Sequence, residues 1–255
     1  MHHRYVTDQK LRCLFCYEES GDNIVASSEH LLSRPVARAF GIERQSPVAR
    51  MGVQADTLTW AALGGIKRRC VCTSCNNGWM NRLEGRMTGI AAWLTGPGDQ
   101  PLGAERALDL RKWALKTHLL LCFIEGNAGR FGDETFSGEC VVPPVTPAKA
   151  LFRDDTAMIC DSTVGVSRSD AATRFAWSFG FPGVTARGGV KGHPRFAPVS
   201  VVTVGDLQLW TAVPLLPARV TTPGGVRDCH TGLRPRDLAT TGHPMSLDIV
   251  RVDFD

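Results

Sequence analysis

The chain has 255 residues, 43% of them hydrophobic and 21% charged, with a formal net charge of +4. This is ordinary globular composition, which excludes a chain dominated by disorder, and the longest strongly apolar run, Leu119 to Ile124, is too short to cross a bilayer. The charge is uneven: residues 1–86 hold 12 Lys and Arg against 8 Asp and Glu, while residues 87–255 hold 17 against 17, so the positive excess reads as a footprint for a polyanion.

The opening MHHRYVTDQK lacks the apolar stretch of a signal peptide. Nine cysteines is an odd count, so reduced thiols in a cytoplasmic protein are expected rather than a disulfide framework. No membrane partner is expected. Cys13-Leu14-Phe15-Cys16 reads as a knuckle and turn. NIVASSEHLL, residues 23–32, begins like a strand, and RPVARAF like a short helix. Gly41 to Gly65 shows little periodicity and reads as a loop insertion. CNNGWMNRLEGRM opens a helix that Asn76 or Asn77 can cap, with Trp79, Leu83 and Met87 on one face.

TGPGDQPLG, residues 95–103, resists both helix and strand. It divides the chain into an N-terminal module (1–95), a linker (96–103) and a C-terminal α+β domain (104–255). Beyond it, AERALDLRKWALKTHLLLCFIEG predicts a long core helix that Gly126 can end. Phe175, Trp177 and Phe179 alternate with Arg174, Ala176 and Ser178, as in a strand. VSVVTV and LQLWTAV flank Gly205-Asp206, a two-residue hairpin turn, and SLDIVRVDF reads as a closing strand. The expected fold class is α+β: a cysteine-stabilised module, then a mixed and mainly β part with one long core helix.

Cys13 and Cys16 are spaced C-x2-C, and so are Cys72 and Cys75. A C-x2-C turn sets two thiolates on one side of a tight knuckle, and two knuckles supply the four tetrahedral sulfurs of a structural zinc. A redox motif of thioredoxin type lacks the βαβ unit it needs. Cys70 offers a second ligand spacing, but the pair at Cys72 and Cys75 mirrors the first knuckle. Cys122, Cys140, Cys160 and Cys229 have no such spacing and read as buried thiols.

Fifty-five residues separate Cys16 from Cys72, more than a simple zinc ribbon uses. Within them lies Ser28-Glu29-His30-Leu31-Leu32. A carboxylate can bind a hard divalent cation, and the adjacent imidazole can take a proton from water near neutral pH. Asn76, just after the last cysteine, can supply a further oxygen or cap the helix, and Asn77 can take its place. Glu84 is expected to face solvent or pair with an arginine, and His118 to be structural.

C-x2-C, then Glu-His before apolar residues, then C-x2-C-N-N-G-W with Leu-Glu after it, resembles the HNH endonuclease superfamily, most of all its bacterial and phage members. The resemblance covers about residues 10–90; Trp113 to Thr117 in the long helix is a weaker match. It implies a zinc-stabilised ββα-metal module, HNH or treble-clef-like, that hydrolyses phosphodiester bonds of DNA. It implies that His30 is the general base and that Glu29 and Asn76 bind the catalytic Mg²⁺, Mn²⁺ or another divalent ion. Cys13, Cys16, Cys72 and Cys75 would hold the zinc. Arg34, Lys67, Arg68 and Arg69 are candidate contacts to nucleic acid, and Arg38, Arg82 and Arg86 would extend that surface. The chain departs from the pattern in two places: no Asn occurs between residues 24 and 75, and Ser33 stands where a proline is common. Two other functions compete. One is a zinc-stabilised nucleic-acid-binding or regulatory protein with an inactive site. The other is an interaction protein acting through its β-rich part.

Overall fold

The computed structural model describes residues 13–16, 26–42, 47–51, 59–62, 66–96, 99–126, 145–169, 175–180, 199–213, 218–221, 226–241 and 251–254. An apolar segment as long as AERALDLRKWALKTHLLLCFIEG can lie inside a protein only if other elements surround it. It forms one helix, α4 (Ala104–Gly126), buried without a break from Trp113 to Cys122. Helix α3 (Asn81–Thr95) packs along one side of it. Two helices not expected from the sequence, α5 (Val145–Arg153) and α6 (Thr156–Cys160), pack on another. Helix α1 (Arg34–Ala39) packs on α3 in turn. Among the described residues, no helix is long and apolar enough to cross a membrane.

The remaining cover comes from a sheet. Strands β5 (Thr163–Ser169), β8 (Leu207–Ala212), β7 (Val199–Val204) and β6 (Phe175–Gly180) are antiparallel neighbours in that order. The expected hairpin is present: Val204 pairs with Leu207, and Gly205 takes the positive φ of 60° that a two-residue turn demands. Both sheet faces are covered. Val202, Val204, Leu207 and Leu209 join the main core, while Val199, Val201, Trp210 and Ala212 form a second cluster. The alternation at Phe175 to Phe179 is therefore not one of burial, since Ala176 and Ser178 are buried as well. Short strands β10 (Arg227–Asp228) and β11 (Thr240–Thr241) both pair with β5. Strands β9 (Ala218–Thr221) and β12 (Arg251–Phe254) form a separate antiparallel pair, in keeping with the closing strand.

Two expectations are corrected here. The stretch from Gly41 to Gly65 holds β2 (Pro47–Met51) and β3 (Thr59–Ala62), an antiparallel pair that extends the large sheet because β2 runs parallel to β6. Proline opens β2, where a missing N–H costs the ladder least. The segment 96–103 does not separate two cores. Leu102 is buried, donates its N–H to Leu233 O at 2.7 Å, and accepts from Gly232 N at 2.8 Å. One hydrophobic cluster runs from Cys13 in the first knuckle to Leu238. Glycine and proline here mark a tight corner between two packed helices.

Side chains from the two sides of this corner are tied by ions. Arg86 Nε of α3 meets Asp109 Oδ2 of α4 at 2.8 Å. Arg111 reaches Asp228 with one nitrogen, and the carbonyls of Cys229 and Ser162 with the others. Cys122 and Cys229 are buried as expected, and burial pushes the Cys229 thiol up to about 12. Cys160 is exposed, contrary to expectation, because α6 turns it outward; Cys140 lies outside the described residues.

His118 is structural. Its Nδ1 lies 2.9 Å from Ser200 Oγ and its Nε2 3.6 Å from Cys122 Sγ, with the Phe179 ring beside it. Complete burial holds its pKa down at about 3, against an ordinary value of 6.5. The unfolded chain thus gains a proton near pH 6.5 that the folded chain refuses until about pH 3, so this group lowers stability as pH falls through that window. His118→Gln is expected to remove as much as ~1.4 kcal/mol per pH unit of acid sensitivity below the midpoint. Urea melts of both proteins at several pH values between 6.5 and 4 would measure it; parallel slopes would show that His118 does not titrate on unfolding.

Candidate metal centre and the Glu29–His30 pair

The site is built on strands β1 (Ala26–His30) and β4 (Lys67–Cys72), which pair antiparallel, followed at once by a helical segment. The register runs Ala26 to Cys72, Ser27 to Val71, Ser28 to Arg69, Glu29 to Arg68 and His30 to Lys67. One residue of β4, Cys70, is skipped, making a bulge. Its carbonyl accepts from Leu14 N at 2.8 Å, so the irregularity ties the first knuckle to the strand. Cys70 is buried and is not part of the cysteine cluster.

The sulfurs of Cys13, Cys16, Cys72 and Cys75 all lie within 4.8 Å of one another. Cys16 Sγ and Cys72 Sγ are 3.8 Å apart. A tetrahedral ion with metal–sulfur bonds of about 2.3 Å separates its sulfurs by about 3.8 Å, so the four thiols can hold a structural metal such as zinc. Backbone amides already point at them: Cys72 N donates to Cys13 Sγ at 3.3 Å and Cys75 N to Cys72 Sγ at 3.4 Å. Cys72 is thereby the cap of the helical segment, through the short helix α2 (Thr73–Cys75). Asn76 has helical dihedrals and is not the cap that the sequence suggested. A sulfur can serve in its place because it has an acceptor to offer where the chain leaves β4.

The sulfurs differ in their hold on a proton. A hydrogen bond from Cys75 pulls the Cys13 thiol down to about 4, against the opposing effect of burial, while the same bond and then burial push Cys75 up. The Trp79 side chain works the other way on Cys75, favouring its thiolate. The Trp79 indole stands edge-on to Phe15, with ring centres 5.1 Å apart, so an aromatic pair closes the cluster between the knuckles. Among the described residues, no other three His, Cys, Asp or Glu side chains converge in this way.

After Cys75 the chain makes a wide turn, Asn76–Met80, in which Gly78 leaves helical dihedrals, and then continues as α3. Such turns re-aim side chains. Here Asn76 Nδ2 donates to Ser27 Oγ of β1 at 2.6 Å. Asn76 and the strand that bears Glu29 and His30 are thus in direct contact, and the side-chain Oδ1 of Asn76 has no partner among the described residues. His30 ends β1 and is partly exposed, and Leu31 N then donates to Ile66 O at 3.2 Å.

Glu29 points inward, with 5% exposure. Its Oε1 lies 3.0 Å from Nζ of Lys116, a lysine with no exposed surface, and the same ammonium lies 2.5 Å from Glu84 Oε1. Glu84, expected to face solvent or pair with an arginine, is 6% exposed and pairs with this lysine instead. Burial pushes the Glu29 carboxyl above its ordinary range; Lys116 opposes this and Glu84 adds to it. Burial also works against the Lys116 ammonium, but Glu84 and then Glu29 outweigh it and hold the lysine charged. With both carboxyls ionised, the trio carries one unit of negative charge in the interior. Lys116 could not be assigned to this site from spacing, because it lies on a helix beyond the expected linker. The only hint was the weak likeness of Trp113 to Thr117.

Of the candidate nucleic-acid contacts, Arg34 is exposed at the first position of α1, and Arg38, Arg82 and Arg86 are exposed too, the last paired with Asp109. Lys67, Arg68 and Arg69 lie on β4 opposite His30, Glu29 and Ser28; their side chains lie outside the described residues.

Comparisons with known protein families, with curated proteins and with solved structures return no match for this chain. What the site does must therefore be argued from its own residues. The first expectation is a metal ion bound one to one with the chain, seen by native mass spectrometry. Cys13→Ser is expected to lose it and to melt at lower temperature; wild-type protein without the ion would remove the metal centre.

Proposed function

We propose that the protein is a metal-dependent endonuclease of HNH type that hydrolyses phosphodiester bonds of DNA. The observation that carries this reading is the junction just described. A four-cysteine cluster joins an antiparallel strand pair to a helical segment, with His30 at the strand end and Asn76 hydrogen-bonded to that strand. In the reading, Cys13, Cys16, Cys72 and Cys75 hold a structural zinc, which the all-thiolate donor set and the sulfur spacing support. Its part is to keep Asn76 against β1.

Glu29 and Asn76 suit a hard divalent ion in the chemistry of their donors. Each has one polar atom held by protein, Oε1 by Lys116 and Nδ2 by Ser27, and each keeps one oxygen that no described residue binds. When bound, Mg²⁺ or Mn²⁺ supplies Lewis-acid stabilisation of the charge that develops on the phosphate. His30 accepts the proton of the attacking water, for which a partly exposed imidazole at a strand end is suited. The exposed Arg34 and the positive charge of residues 1–86 favour a phosphate backbone and position it without reading sequence.

A second reading is a nucleic-acid-binding protein with an inactive site of the same architecture. It is favoured by the deep burial of Glu29 and by the lack of any Asn between residues 24 and 75. His30 separates the two. In the nuclease, His30→Ala lowers cleavage of supercoiled plasmid by about 10²–10⁴-fold at unchanged zinc content, as loss of a general base does. Cleavage that requires added Mg²⁺ or Mn²⁺ and disappears in the variant would sustain the nuclease. Plasmid bound but left intact by wild-type protein would favour the binding protein.

A further inference from the structure

Among the described residues, Lys116 is the charged side chain of α4 that reaches the Glu29–His30 strand from across the corner at residues 96–103. We propose that it is a positioning residue for that pair: its ammonium holds Glu29 Oε1, directs the second carboxylate oxygen toward a divalent ion, and sets how tightly the ion is held. The inference rests on the reading of Glu29 as an ion ligand.

Three observations carry it. The ammonium sits between Glu29 Oε1 at 3.0 Å and Glu84 Oε1 at 2.5 Å, with no exposed surface of its own, so it has no role toward solvent. Buried charges persist only when paired, so the orientation of each carboxylate is bound to the position of the ammonium. Two carboxyls share one ammonium, so with both ionised the trio carries one net negative charge, which a cation on the free oxygen of Glu29 would offset. Without Lys116, the two carboxylates would form a stronger but misdirected cation site. Without the charge of Glu84, Lys116 would neutralise Glu29 and leave nothing to attract an ion.

A trio with no ion beside it would leave Mn²⁺ affinity unchanged, whereas removing a positive and then a negative charge next to a bound ion shifts the affinity in opposite directions. Binding of Mn²⁺ to the zinc-loaded full chain, followed by the loss of the free-ion resonance signal, makes the distinction with no nucleic acid present. Lys116→Met is expected to bind Mn²⁺ more tightly than wild type and Glu84→Gln more weakly. Each shift should be of the order of tenfold, as for one unit of charge altered close to the ion. Cleavage is expected to fall in both variants.

Shifts in the same direction, no shift, or wild-type protein that binds no Mn²⁺ would overturn the proposal. If Lys116→Met fails to fold, Glu84→Gln decides alone, since its amide oxygen can still accept from the ammonium. Unchanged Mn²⁺ affinity in folded Glu84→Gln then refutes it. Wild-type protein that binds Mn²⁺ with the expected shifts but cuts no substrate would sustain the positioning role while removing the nuclease reading.

Discussion

A lysine with no exposed surface must keep its charge partnered, and Lys116 does so with carboxylates from two other elements. Losing one partner of such a buried pair typically costs about 3–5 kcal/mol, a large fraction of the stability of most domains. Strand β1, helix α3 and helix α4 therefore cannot part independently. The trio joins the segment that carries Glu29 and His30 to the helix on which the large sheet rests. Because Lys116 comes from beyond residue 103, the candidate site is a property of the whole fold rather than of the cysteine-rich third.

The cysteine cluster acts at shorter range. Its two knuckles come from a four-residue turn, Cys13–Cys16, and from the exit of β4. Four sulfurs, the Leu14 bond to the bulge at Cys70, and the Phe15–Trp79 pair together hold that turn on the strand. The consequence reaches Asn76, the next residue after the cluster, which contacts Ser27. The cysteine cluster and the buried ions thus hold the same strand from two sides, one near Ser27 and the other at Glu29.

The insertion between the knuckles joins the two scales. Residues 47–62 leave the cysteine-rich region and add two strands to the edge of the large sheet, beside β6. Together with the corner at Leu102 and the Arg86–Asp109 pair, this makes the molecule one packing unit where composition suggested two.

Local rules were sufficient for the parts of this protein whose partners lie close by in sequence or share a distinctive spacing. The matched C-x2-C pairs, helix α4 to its glycine end, and the turn at Gly205-Asp206 could all be read that way. So could the nearness of Glu29 and His30, which is a covalent fact. Tertiary structure alone decided the rest. Whether the low-periodicity stretch from Gly41 to Gly65 formed strands depended on an edge offered by β6, more than a hundred residues later. Whether Glu84 faced water depended on Lys116, and Asn76 caps no helix because the chain already turns helical at Cys72, whose own sulfur takes the Cys75 amide. In each case the side chain's own chemistry allowed more than one role. For the strands and for Glu84 the choice was made by a neighbour distant in sequence, through a strand ladder or a buried charge that local periodicity does not encode.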